Sequence, residues 1–202
     1  MDGIFLLNKT RIMQTCMADG TVLKPDAPVH TSDWCFLASS KTTADHTAYL
    51  YHTYSDLSGF GRIHYHFNNN DANTGKGVVT PAMVHLDDTD VGKYAVTNWY
   101  TGETAFLNTS TPITEGYEGH TYATVSPIVH GWVFLGETNK YVVAAGKRFS
   151  AVAASVSELS VVVHGVEGED VKVCAVRSAS LGNTMCNTVS FTSTGPLKTT
   201  FK

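Results

Sequence analysis

The sequence predicts an all-β chain folded as a two-sheet antiparallel β-sandwich. Of its 202 residues, 74 are Val, Ile, Thr, Tyr, Phe or Trp, the types that fit a pleated, half-buried surface. Short runs of them recur between clusters of Gly, Pro, Asn, Asp and Ser, and no stretch of ten residues keeps a helical period. A chain of this length buries about 70% of its unfolded surface, enough for one sizeable core.

Residues 1–30 read as an N-terminal strap or linker, because Gly20, Pro25 and Pro28 punctuate a segment with no single apolar period. Residues 31–202 read as the sandwich domain. Its clearest hairpin joins Thr47–Tyr54 to Arg62–Phe67 through a loop from Asp56 to Gly61. Strands follow at Tyr94–Trp99, Thr104–Leu107, Thr121–Val125, Gly131–Leu135, Tyr141–Ala144 and Arg148–Ser155. Leu159–His164, Val171–Val176, Cys186–Thr192 and Leu197–Phe201 close the chain as a meander.

Charge and apolar patterning exclude several functions. Fourteen Lys and Arg stand against 18 Asp and Glu, which leaves no basic footprint for duplex nucleic acid. No apolar run is long enough to span a membrane as a helix. Phosphate-loop, dinucleotide, nucleophile-elbow and H-E-x-x-H motifs are absent, so no cofactor and no catalytic residue is expected. Asn8-Lys9-Thr10 and Asn108-Thr109-Ser110 are sequons, making Asn8 and Asn108 the candidate N-glycosylation acceptors.

The expected hairpin register sets Tyr51 against His66 and Tyr54 against Ile63. It turns His52 away from His64 and His66, so that pair is expected as packed or surface imidazoles and no metal site is assigned. A turn over Ser178–Asn183 places Cys174 opposite Asn187, with Cys174 and Cys186 on opposite faces, and predicts free thiols. Asn69, Asp71 and Asn73 imitate a calcium loop but lack its Gly and closing Glu. Asp87-Asp88-Thr89-Asp90 is expected to cap or turn. Trp132 sits in an apolar run and is expected in the core. Trp99 and Tyr100, beside the Thr101-Gly102 turn, are the candidate carbohydrate-binding rings.

Asp19-Gly20-Thr21-Val22-Leu23-Lys24, Thr31-Ser32-Asp33-Trp34-Cys35-Phe36 and Gly59–Asn68 resemble a segment of the α-galactosidase and raffinose-synthase group of glycoside hydrolases. The resemblance covers residues 18–70, where that group's catalytic barrel hands over to its C-terminal β-sandwich. It implies a non-catalytic accessory module packed on a catalytic barrel domain or partner chain, with the strap at the seam. The alternatives are a stand-alone carbohydrate-binding or adhesion module and a structural subunit of a larger assembly. The group's acid and nucleophile lie in the barrel, which typically needs about 250 residues, so none maps onto this chain. Glycosidic hydrolysis usually needs two carboxyl groups roughly 5 to 10 Å apart in a cleft, whereas many of this chain's acids fall in expected turns. The purified chain should release no phenol from aryl α- or β-glycosides. Turnover that survives repurification and disappears on changing one Asp or Glu would overturn this.

Overall fold

The computed structural model describes residues 8–31, 49–69, 77–114 and 120–202. Trp34, Cys35, and Asp71 and Asn73 of the calcium-like loop lie outside them. One short helix, α1 (Lys9–Met13), precedes β1 (His30–Thr31), β2 (Tyr49–Leu57), β3 (Gly61–Asn69) and β4 (Gly77–Val79). Then come β5 (Tyr94–Asn98), β6 (Thr104–Phe106), β7 (Thr111–Ile113), β8 (His120–Val129) and β9 (Trp132–Gly136). The last five strands are β10 (Phe149–Ala154), β11 (Leu159–Gly165), β12 (Asp170–Arg177), β13 (Thr184–Ser190) and β14 (Gly195–Phe201).

The fold is all-β and its described pairings are antiparallel, but the described strands form three sheets where two were expected. The largest has nine strands, with β1-β2-β3-β8-β9-β12-β13 as its main order and β5 and β6 branching from β8. Strand β8 is the hub. Its Ala123–Val125 segment pairs with β3 on one side and β5 on the other, and its end folds back into β9. The His130-Gly131 turn makes that fold, with φ of 49° and 79°, the left-handed pair that a tight two-residue hairpin requires.

One face of this sheet packs on the three-stranded sheet β10-β11-β14. Ile63, Trp132, Phe134, Val152, Val161, Val173 and Phe201 fill the space between them. The opposite face is covered at β5 and β8 by the β4–β7 pair and the short turn Pro81–Val84, around Val79, Val84, Val96 and Leu107. The closing strands are therefore no meander. The β12–β13 hairpin belongs to the large sheet, while β11 and β14 pair across the small one. Tyr141–Ala144 is likewise a turn segment rather than a strand.

Two hairpin registers differ by one residue from expectation. The β2–β3 loop is the three residues between Leu57 and Gly61, so His52 faces His66. The β12–β13 loop runs through seven residues between Val176 and Thr184, so Cys174 faces Cys186 directly. The two form a disulfide, which corrects the free-thiol expectation. Cys16 remains a buried free thiol.

Residues 8–27 lie along their own domain. Met17 and Leu23 pack on Ala145, and the N–H groups of Asp26 and Ala27 donate to the Tyr54 carbonyl. Lys140 Nζ donates to the carbonyls of Met13 and Cys16, at 2.7 Å each. Beside it Arg148, wholly buried, donates from Nε to Glu137 at 2.8 Å and from its two terminal nitrogens to Glu169 at 2.9 and 2.6 Å. Glu169 also accepts the N–H groups of Ala18 and Val166. Removing the cation would leave Glu169 buried without a counter-charge and Glu137 with Lys140 alone, 3.9 Å away, at a cost of about 3–5 kcal/mol. Arg148→Met should lower the urea midpoint accordingly and speed proteolytic cutting within residues 8–27.

Candidate functional site

Alternation along β2 and β3 puts Tyr51, Thr53, Tyr65 and Phe67 on one face of the large sheet. Tyr122 of β8, Tyr100 after β5, the Tyr141-Val142 turn, and Pro25 and Val29 of the strap complete a cleft of about 350 Å³. Tyr51 and Phe67 lie 6.0 Å apart between centroids, and Phe67 and Tyr122 lie 6.4 Å apart.

Three of the hydroxyls on these walls, those of Thr53, Tyr65 and Tyr122, are bonded within the protein. Tyr65 Oη shares a hydrogen bond with Ser55 Oγ at 3.0 Å and accepts the Ala144 N–H. Tyr122 donates to the Tyr141 carbonyl, and Thr53 donates to the Ala27 carbonyl. Burial pushes the Tyr65 and Tyr122 phenols well above their ordinary values, so both stay neutral. What the cleft offers a ligand is a mainly aromatic and apolar lining, a surface suited to apolar groups.

Trp99 and Tyr100 meet edge to face, 5.3 Å apart at 84°, and each lines a different cleft. Trp99 stacks on Tyr141 at 4.8 Å and donates its Nε1–H to the Lys140 carbonyl. Its cleft, about 270 Å³, is bordered by Thr97, Asn98, Thr124, Thr138, Lys172, Thr184 and the Cys174–Cys186 disulfide. This second cleft is the more polar of the two.

On the other side of β2 and β3 the shifted register gathers histidines. His52 Nε2 lies 2.9 Å from His64 Nδ1, and the His85 ring is 4.8 Å from that of His52. His52 was expected to point away from His64 and His66; it shares their face. His66 is buried with no hydrogen-bond partner for either ring nitrogen. Burial, then the charges of Arg62 and His85, lowers the His64 pKa to about 4, and burial alone lowers that of His66 to about 4. Among the described residues no group of three or more His, Cys, Asp or Glu is placed to hold a metal.

The remaining candidates have clear local roles. Asn8 caps α1, its Oδ1 accepting the N–H groups of Thr10 and Arg11, whereas Asn108 is exposed between β6 and β7. Asp87 and Asp90 form a reciprocal cap on the turn Asp88–Asp90. Trp132 is fully buried beneath the Arg177 guanidinium. Glu137 and Glu169, the buried carboxylates among the described residues, both bind Arg148. Sequence reasoning did not single out Phe67, Tyr122, Tyr141 or Lys172, and the expected register, by setting Tyr51 against His66, put Tyr51 and Tyr65 on opposite faces, whereas the observed one pairs Tyr51 with Phe67. No family model and no curated protein matches this chain.

The imidazoles make the fold acid-sensitive. His64 and His66 are neutral when folded, and the unfolded chain binds protons there first, near pH 6.5. Stability is therefore present above that value and is lost as pH falls toward 4, by about 3 kcal/mol for each ring. Urea midpoints should drop between pH 7 and pH 4.5, and His66→Leu should show a smaller drop.

Proposed function

We propose that the chain is a non-catalytic accessory β-sandwich module of a carbohydrate-active enzyme, docked through its aromatic cleft onto a catalytic domain or partner chain. In this reading the nine-stranded and three-stranded sheets are the two layers of the sandwich, and the β4–β7 pair is an addition to it. The carrying observation is the cleft itself, lined mainly by aromatic and apolar side chains, with the Tyr65 and Tyr122 hydroxyls bonded within the protein. Pro25, Val29, Tyr51, Thr53, Tyr65 and Phe67 all fall within residues 18–70, the segment that resembles the junction between barrel and sandwich. An apolar side chain of the partner, seated among these rings, would contribute about 1.5–3 kcal/mol. The commitment of Glu137 and Glu169 to Arg148 supports the non-catalytic part, since neither carboxylate is free to act as acid or nucleophile.

A second reading, a stand-alone carbohydrate-binding module, is favoured by Trp99 lying beside the hydroxyls of Thr97, Thr124, Thr138 and Thr184. Titration with N-phenylnaphthylamine, a neutral apolar fluorophore, separates the two. The docking reading expects one saturable site, weakened about ten-fold by Tyr51→Ala and untouched by melibiose or raffinose. Displacement of the dye by either sugar, or quenching of Trp99 by it, would transfer the assignment to the carbohydrate-binding module. A chain that takes up no dye would remove the aromatic cleft as a docking site.

A further inference from the structure

The polar cleft holds chemistry that neither reading uses. Its wall contains a disulfide whose two cysteines differ in exposure. Cys174 is 1% exposed, whereas Cys186, directly across from it, is exposed on β13, the last of the described strands in the large sheet's order. Lys172 stands two residues before Cys174, on the same face of β12, and lines the same cleft. The Thr138 hydroxyl lies 3.8 Å from Cys174 Sγ, close enough to donate to that sulfur.

We propose that the Cys174–Cys186 disulfide is a thiol-exchange site that takes a small anionic thiol at Cys186. The cleft admits the thiol, and the Lys172 ammonium favours an anionic one. The incoming thiolate attacks the Sγ of the exposed Cys186, forming a new sulfur–sulfur bond as the bond to Cys174 breaks. The electron pair leaves on Cys174 as a thiolate, which the Thr138 hydroxyl and Lys172 stabilise until water protonates it. No oxidant is consumed, because one disulfide replaces another. The reverse attack by Cys174 on Cys186 expels the thiol and restores the cleft.

The step also releases the covalent tie between β12 and β13. Hydrogen bonds of the β12–β13 ladder, and those from Asn187 to Thr199 and Thr200, keep β13 in place meanwhile. The small thiol therefore modifies a folded sheet and fills a cleft that already exists.

The test incubates the intact chain with glutathione or with cysteamine at equal thiolate concentration, quenches with acid, alkylates, and maps the adduct by mass. The expected product carries one glutathione on Cys186 and an alkylated Cys174. At low salt, glutathione should react roughly five-fold faster than cationic cysteamine, the scale of one charge contact in water. Lys172→Gln, or high salt with the unmodified chain, should bring the two rates together. Glutathione attached at Cys174, no adduct at either cysteine, or equal rates for the two thiols at low salt would each overturn the proposal.

Discussion

The Arg148 guanidinium lies wholly buried between Glu137 and Glu169, and the need to neutralise it organises the chain around it. A buried ion pair is expensive to desolvate and holds only when its remaining hydrogen-bonding capacity is filled. The fillers come from distant parts of the sequence. The strap gives the Ala18 N–H, the β11–β12 connection gives the Val166 N–H, and the His164 carbonyl accepts from Arg148. Burial raises the Glu137 carboxyl despite the opposing charges of Arg148 and Lys140. For Glu169 burial also opposes the charge, but the Arg148 contacts and the two N–H groups outweigh it and hold the carboxyl below its usual range.

That cluster is also the anchor for both clefts. Glu137 and Arg148 bracket the segment that carries Tyr141, Val142 and Val143, so fixing its two ends fixes the shared wall. Gly136 completes the anchor. Its φ of 71° lies in the left-handed region, and a Cβ there would overlap the Val143 carbonyl, which accepts the Glu137 N–H. The strap, expected as a seam toward another body, thus enters the electrostatic centre of its own domain. Its Pro25 and Val29 reach the aromatic cleft from that position.

Fold class was legible in composition and spacing because β-branched and aromatic residues mark strands whatever their partners. Most strands from Tyr94 to Phe201 lie within a few residues of where turn residues place them. Register was not legible, and its consequence was disproportionate. A side-chain period of two means that a one-residue slip exchanges faces, so a three-residue loop after Leu57 and a seven-residue loop after Val176 inverted two chemical readings. His52 joined His64 instead of opposing it, and Cys174 met Cys186 instead of missing it. Loop length depends on how the tip packs, as where the Ser58 carbonyl receives the Val152 N–H from another sheet. Such a contact has no local signature. The small β4–β7 sheet escaped notice for a related reason, since its three-residue strands are too short to display alternation.

Trp99 and Tyr100 were singled out by type and position, and both do line clefts, but sequence could not show that they face different ones. Adjacent residues at the end of β5 diverge, so Tyr100 closes the apolar cleft while Trp99 borders the polar one. The two rings still touch edge to face, and Trp99 is pinned on its other side by Tyr141 and the Lys140 carbonyl. A Trp held by a stacking partner and a 2.7 Å hydrogen bond cannot tilt without losing one of them. The Lys140 whose carbonyl holds Trp99 also binds the strap carbonyls of Met13 and Cys16 through its ammonium. Strap, ion-pair cluster and cleft wall form one connected set of contacts, in which Lys140 touches all three.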